Sequence, residues 1–290
     1  MIIVLTGPTG TGKSKMAISL AKRFDGVIIN ADAFQVYQEL NIATAKPTED
    51  MMMEAPHYLF DFVPLTENYN VAEYQKDLRG DIAEFMAERK TIIIAGGTGL
   101  YIRAGLYDYQ FGEEEEVDLS AYDGLTNEQL HDVLKSFDPK SAEEIHPNNR
   151  VRMLRAISIF LSTGKRKSDI VDSQKHEPVY DDVHFFGLIR DRAQIYEDVN
   201  ARVDEMFEMG LVEENRRLVE RYGRAPHAFR AIGVKELFPY FDGEITLDEA
   251  KELIKKNTRN YVKRQLTFCR HQFPIQFVET EDELLKSLSL

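Results

Sequence analysis

Residues 7–14 read Gly7-Pro8-Thr9-Gly10-Thr11-Gly12-Lys13-Ser14, a G-x-x-x-x-G-K-[ST] loop set between an apolar run at 2–6 and a stretch of helical periodicity. Glycines let backbone amides turn toward an oxyanion, and the N-terminus of the following helix adds its dipole. Lys13 is placed to bridge phosphate oxygens, and the Ser14 hydroxyl to hold Mg²⁺. The bland alternative is a tight strand-to-helix turn that meets the pattern by accident, and the correct flanks on both sides argue against it. The loop specifies a diphosphate or triphosphate and leaves the reaction open.

A strand–loop–helix opening belongs to a parallel sheet with crossover helices. Short apolar runs at 2–6, 27–29, 58–63 and 91–95 predict buried strands. A helix is predicted from Ser14, burying Ala17, Leu20, Ala21 and Phe24. Another starts at Val71, where Asn70 and Glu73 stand at capping-box spacing before the stripe Val71, Tyr74, Leu78, Ile82 and Phe85. Past Leu106 the pattern changes. No clear strand follows until 183–189, and the helical segments between include one over 148–161. The expected fold is therefore α/β: a P-loop parallel sheet flanked by helices from 1–106 and 182–290, with a small helical domain inserted at 107–181. A helix over 194–210 carrying Ile195, Val199, Val203 and Met206, a long basic helix over 247–273 and a strand at 275–278 complete the core.

Charge narrows the partners less than its sum suggests. The 290 residues hold 36 basic and 49 acidic side chains, net −13, which disfavours nonspecific nucleic-acid binding. Yet 251–270 carries seven Lys or Arg against Glu252 alone, and 140–167 carries seven against Glu143 and Glu144. Six acidic residues crowd into 113–124. The basic stretches keep RNA open as a ligand. The single cysteine, Cys269, excludes a disulfide framework and a cysteine-based zinc site, and points to a reducing compartment. No apolar run is long enough to span a membrane, and the N-terminus reads as the start of the fold and not a signal peptide. A cytoplasmic location is expected.

Further candidates carry weaker signals. Asp32 follows the second strand at the carboxyl edge of the sheet, where it could bind Mg²⁺, act as a general base, or merely cap a turn. Ala95-Gly96-Gly97-Thr98-Gly99 follows the fourth strand and offers the Thr98 hydroxyl at the same edge. Arg152 and Arg155 share one helix face, either solvated or phosphate-contacting, with Met153, Leu154 and Ile157 able to pack on the other. Arg202 is a lone arginine on an amphipathic helix, with a surface ion pair to Asp198 or Glu205 as the plain reading. Spacing alone gives Arg230-Ala231-Ile232-Gly233-Val234-Lys235 no role.

Taken together these motifs resemble the bacterial tRNA dimethylallyltransferases of the tRNA isopentenyltransferase family. The likeness rests on the phosphate loop, Asp32-Ala33-Phe34-Gln35-Val36-Tyr37, Asn41-Ile42-Ala43-Thr44-Ala45-Lys46-Pro47 and Pro56-His57-Tyr58-Leu59-Phe60-Asp61. It continues with Gly96-Gly97-Thr98-Gly99-Leu100-Tyr101, and with Ile145-His146-Pro147-Asn148-Asn149 followed by Arg152 and Arg155. The resemblance implies transfer of a dimethylallyl group from dimethylallyl diphosphate to the exocyclic amine of the adenosine immediately 3′ of the anticodon, in tRNAs reading codons that begin with U. It implies a catalytic set of Asp32 as base, Thr98 beside the amine and Arg202 with Mg²⁺ on the leaving group. Gly7 to Ser14 would grip the diphosphate, with Ser14 as metal ligand. Asp32 to Gln35, Thr98, Val151 to Arg155 and Arg230 to Lys235 would meet the tRNA anticodon arm, the insertion included. A cytoplasmic monomer is expected.

Four positions depart from the family's usual residues: Ala33 replaces Ser, Ala43 replaces Gly, Asp198 stands where arginine is common, and Val151 replaces an arginine, with Arg150 adjoining it. The insertion is also short and acidic. Competing readings are a P-loop kinase of a small metabolite or nucleotide, prenyl transfer to free adenine nucleotide, and a noncatalytic tRNA-binding module.

Overall fold

A computed structural model of the chain describes residues 1–111, 117–173 and 177–288. The acidic run Glu113 to Glu116 lies outside the described residues. The chain divides into two compact units, Met1–Leu106 with Tyr180–Leu290, and Tyr107–Val179.

The first unit is built on six parallel strands: β1 (Ile2–Thr6), β2 (Val27–Asn30), β3 (His57–Tyr58), β4 (Ile92–Ala95), β5 (Val183–Leu188) and β6 (Gln276–Val278), in the order β3-β2-β4-β1-β5-β6. All pairings are parallel, with Ile2 opposite both Ile92 and Val183. The inner strands β1 and β2 are buried along their whole length. Strands covered on both faces need continuous apolar runs, which is why Ile-Ile-Val-Leu, Val-Ile-Ile and Ile-Ile-Ile mark them.

In chain order the helices are α1 (Lys13–Arg23), α2 (Glu49–Glu54), α3 (Val71–Ala87), α4 (Gly99–Leu106), α5 (Asn127–Phe137), α6 (Pro139–Glu144) and α7 (Arg150–Thr163). They continue as α8 (Lys167–Ser173), α9 (Arg192–Glu208), α10 (Leu211–Tyr222), α11 (Phe238–Phe241), α12 (Leu247–Gln272) and α13 (Glu281–Ser287). In α1 Ala17, Leu20 and Ala21 are buried, with Phe24 half-buried at its end. The capping box that opens α3 is formed by Asn70 and Glu73, and the helix buries Tyr74, Leu78, Ile82 and Phe85 while Val71 stays half-buried. Gln75 and Arg79 of α3 donate to the carbonyls of Ala104 and Gly105, satisfying the open end of α4. None of the described helices is long and apolar enough to cross a membrane.

One sequence expectation fails here, and one helix carried no expectation. Residues 58–63 do not form a strand beyond Tyr58: Leu59 and Asp61 have φ of +59° and +55°, left-handed values that break a ladder. Only Val63 rejoins, as an isolated parallel bridge to Tyr37. And α10 was not anticipated, because its inward face mixes Leu211, Val212 and Leu218 with buried Glu214 and Asn215.

The second unit is helical. Leu130, Leu134, Ala142, Ile145, Met153, Ala156 and Ile157 form its core. Asp138 is buried beneath it and accepts from Ser141 N at 3.0 Å and Ser168 Oγ at 2.7 Å, joining α6 to α8.

Candidate active site

The phosphate loop leaves β1 through Gly7, whose φ is +124°, and turns again at Gly10 (+82°) and Gly12 (+89°). A Cβ on Gly7 would stand 2.8 Å from the Leu188 carbonyl oxygen, so glycine is required there by both conformation and space. Lys13 Nζ donates to the carbonyls of Gly7 (3.0 Å) and Pro8 (2.5 Å), and Thr11 Oγ1 also donates to Pro8 O at 2.9 Å. Burial, then the neighbouring Arg202 charge, pushes the Lys13 pKa down to about 8. The Ser14 hydroxyl is exposed in the first turn of α1.

Asp32 follows β2 at the same sheet edge. Asn30 frames it, accepting the Asp32 N–H at 2.9 Å and donating to the Asp32 carbonyl at 3.0 Å. Asp32 Oδ1 accepts the Phe34 N–H at 3.0 Å, so its local turn geometry is real. It is not only a turn residue, because the carboxyl faces Lys13 and Arg202. Burial raises its pKa; the N–H groups of Phe34 and Gln35 and the two cations pull it down without cancelling that effect.

Thr98, after β4, accepts the Ala33 N–H through Oγ1 at 3.0 Å, and its hydroxyl also bonds with Tyr261 of α12. The two loops at this edge are thereby locked together. The absence of a serine hydroxyl at position 33 leaves this backbone contact untouched.

Arg202 faces inward from α9. Its Nη2 donates to the Ala45 carbonyl at 3.4 Å, and Glu205 and Asp32 are the charges that act on it. A surface pair with Asp198 is excluded: Asp198 bonds instead to Arg190 at 3.3 Å and to Gln194 at 2.9 Å.

Of these groups, Thr9 of the phosphate loop, Asp32 and Arg202 line a cavity of about 210 Å³ within the first unit. Thr9, Asp32, Arg202, Thr258, Tyr261 and Arg264 supply polar lining, and Phe34, Val199, Val203, Met206 and Ile254 an apolar wall. Arg230, Ala231, Ile232 and Lys235 also line it, giving that segment the position its spacing did not reveal. Gly233 and Val234 point elsewhere. Gly233 N donates to Glu236 at 2.9 Å, and Val234 is fully buried, so its side chain has no access to RNA. Gln35 is likewise engaged internally, its Nε2 donating to Thr44 O (3.0 Å) and Ala45 O (3.2 Å).

The sequence reading missed α12 as a source of site residues. Gln265 accepts the Thr9 N–H at 3.2 Å and donates to the Gly97 carbonyl at 3.1 Å. The available signal was a polar stripe, Thr258, Tyr261 and Gln265, at three- and four-residue spacing on a face that also buries Val262 and Cys269. The helix's positive charge drew attention instead, yet part of it serves packing. Lys251 and Lys255 both pair with Asp204 of α9 (2.6 and 2.8 Å), and Arg259 donates to Asn200 at 2.6 Å.

On α7 the five expected RNA-facing residues divide. Val151 is 74% exposed, and Arg152 and Arg155 are exposed with it. Met153 is fully buried, so its side chain cannot meet RNA, while Leu154 is half-buried and packs against the same core. Arg150 does not take the place of the arginine absent at 151: its guanidinium is spent on the carbonyls of Leu125, Tyr122 and Asp123.

A family model described as IPP transferase matches residues 35–272. A tRNA dimethylallyltransferase of Anoxybacillus flavithermus is 44% identical over 286 residues, covering 98% of this chain and 92% of that one. One from Geobacillus thermodenitrificans is 43% identical, covering 97% and 91%. Among solved structures, a tRNA delta(2)-isopentenylpyrophosphate transferase of Staphylococcus epidermidis matches with a TM-score of 0.74 at 38% identity, over 99% of this chain and 98% of that one. A eukaryotic dimethylallyltransferase acting on tRNA gives a TM-score of 0.81 at 26% identity, over 99% and 75%. With its parallel sheet, its phosphate loop and this agreement along nearly its whole length, the chain belongs to the IPP transferase family.

Proposed function

We propose that the chain transfers a dimethylallyl group from dimethylallyl diphosphate to the exocyclic amine of the adenosine immediately 3′ of the anticodon, in tRNAs reading U-initial codons. The observation that carries this reading is convergence: Thr9 of the anion-binding loop, the half-buried Asp32 carboxylate with its raised pKa and an apolar wall meet in one cavity. A phosphate loop alone fits a kinase. An apolar wall of Val199, Val203, Met206 and Ile254 suits a hydrocarbon donor better than a second polar substrate.

The adenine leaves its stack to enter the cavity. Its amine nitrogen forms a bond to C1 of the donor while the C1–O bond breaks, its electron pair leaving on the diphosphate, and the amine proton passes to Asp32. A carboxylate whose pKa is raised is the stronger base for that proton. Thr98, fixed by Ala33 N, orients the amine. Lys13, Arg202 and the loop amides meet the charge that develops on the diphosphate, the main source of catalysis when a leaving group becomes an anion.

Mg²⁺ suits the donor set. It is commonly held by few protein oxygens with the rest from phosphate and water, so the exposed Ser14 hydroxyl is an adequate anchor although no cluster of three metal-binding side chains occurs among the described residues. When bound, Mg²⁺ supplies further charge neutralisation on the diphosphate. Arg152, Arg155, Arg230 and Lys235 contact the phosphates of the anticodon arm. The enzyme acts as a cytoplasmic monomer.

The test incubates the chain with labelled dimethylallyl diphosphate and either tRNA lacking the modification or AMP. Label in tRNA supports the reading. Label in AMP alone refutes it, as does ADP release from ATP without isoprenoid.

A further inference from the structure

Two buried polar residues on α10 have no place in the chemistry above. Glu214 is 8% exposed and Asn215 is fully buried, and neither lines the cavity. Buried polar groups persist where they are hydrogen-bonded, so their partners are informative. The Glu214 carboxylate accepts three successive backbone N–H groups, from Asn41 at 3.0 Å, Ile42 at 2.9 Å and Ala43 at 3.1 Å. Successive amides turned toward one anion form a nest, and here the anion is the protein's own. Asn215 reaches the other way and donates to the Gly233 carbonyl at 3.2 Å.

The residues just past this nest matter for the reaction. Thr44 and Ala45 line the cavity. Ala45 is held at φ +50°, and its carbonyl is the acceptor for Arg202 Nη2. A path of hydrogen bonds therefore runs from Glu214, through the 41–45 loop, to the guanidinium.

We infer that Glu214 is a positioning residue: by clamping the amides of 41–43 it fixes the Ala45 carbonyl, and through it holds Arg202 where the leaving diphosphate develops its charge. This role presupposes the transfer chemistry proposed above. A carboxylate suits the task because two oxygens with about four lone-pair directions receive three N–H donors, and bonds to an ionised acceptor are roughly twice as strong as neutral ones. Glutamine at 214 has the same size, one acceptor oxygen and an NH₂ that opposes the amides, so it loosens the loop without opening a void.

The test is a double-mutant cycle on prenyl transfer from dimethylallyl diphosphate to unmodified tRNA, with wild type, Glu214→Gln, Arg202→Ala and the double variant. In the wild-type background Glu214→Gln should lower kcat ~10-fold and change the KM for dimethylallyl diphosphate by less than ~3-fold, whereas in the Arg202→Ala background it should lower kcat by less than ~2-fold. An equal loss in both backgrounds, or an unchanged kcat in the first, overturns the proposal. If Glu214→Gln does not fold, Glu214→Asp enters the same cycle under the same criteria, since the shorter carboxylate keeps the charge and cannot reach all three amides. A wild-type chain that transfers nothing overturns the transfer reading itself, a result distinct from an active enzyme indifferent to residue 214.

Discussion

Gln265 donates to the carbonyl of Gly97 at 3.1 Å, and with its side-chain oxygen accepts the N–H of Thr9 at 3.2 Å. One side chain of α12 thus ties the phosphate loop to the loop after β4. A Cβ on Gly97 would collide with that amide, so glycine there keeps the tie possible. Gly97→Ala and Gln265→Ala should each weaken binding of inorganic diphosphate roughly tenfold, because two backbone groups lose their partner at a cost of about 1–3 kcal/mol. Calorimetry checks this, and unchanged affinity in both variants would mean the loops hold themselves in place.

Asp32→Asn should lower turnover by ~10²-fold or more while tRNA binding persists, as expected when a general base is lost and a side chain of the same shape remains. Because burial raises its pKa and the ionised form is the base, activity should fall with decreasing pH at a point above the ordinary carboxylate value of about 3.9. Arg202 is one of the groups that pulls this pKa down, so Arg202→Ala should move the acid limb of kcat/KM upward. An acid limb that stays put or moves down argues against contact between the two charges.

With its pKa near 8, Lys13 loses its proton as pH rises through that value, and the free enzyme loses a cation from the anion site. Affinity for inorganic diphosphate should therefore decline between pH 7.5 and pH 9 by ~10-fold, and Lys13→Arg, which stays charged, should show a flatter profile. Parallel profiles for the two proteins would locate the titration elsewhere.

Arg152→Ala combined with Arg155→Ala should weaken tRNA binding and make the slope of log K against log salt shallower by roughly 1.5, the share of two phosphate contacts. If the slope does not change, that face of α7 is solvated and no more.

Asp81 on α3 carries a buried oxygen without a partner, and burial with the nearby Asp77 and Glu84 charges pushes its pKa up to about 6. A carboxyl group that binds its proton more tightly in the folded state than in the unfolded one costs stability as pH rises from about 4 to 6. Asp81→Asn should hence stabilise the chain at pH 7.5 by about 1 kcal/mol or less after solvent screening, with the gain vanishing near pH 4. Denaturant unfolding at the two pH values reads the difference directly.

What the residues announced in advance, and what they hid, follows from where each interaction lies. The strands β1, β2 and β4 were plain because a doubly covered strand must be apolar throughout, and α3 because its cap is local. Residues 58–63 have a strand's composition but not its backbone, since the left-handed Leu59 and Asp61 answer to neighbours distant in sequence, such as Asn30, which donates to the Leu59 carbonyl. Helix α10 stayed hidden because Glu214 and Asn215 face inward to serve loops about 170 and 18 residues away, and no periodicity of apolar residues records that. The phosphate loop was self-evident, and Asp32 and Thr98 stood at strand ends. Arg202 was ambiguous from spacing, since the carbonyl it meets belongs to residue 45. Tyr261 and Gln265 were masked by the charge of the helix that carries them.

The placement of β1 in the middle of the sheet governs the birth of the protein. Its register partners begin at residue 92 on one side and residue 183 on the other, so during synthesis β1 stays half-paired until the chain has been made past residue 183. Pairings that wait on distant segments form slowly and leave a bare edge in the meantime. Synthesis that stalls between β4 and β5 therefore yields an incomplete sheet already bearing its phosphate loop, an object suited to sticking to its neighbours and to degradation.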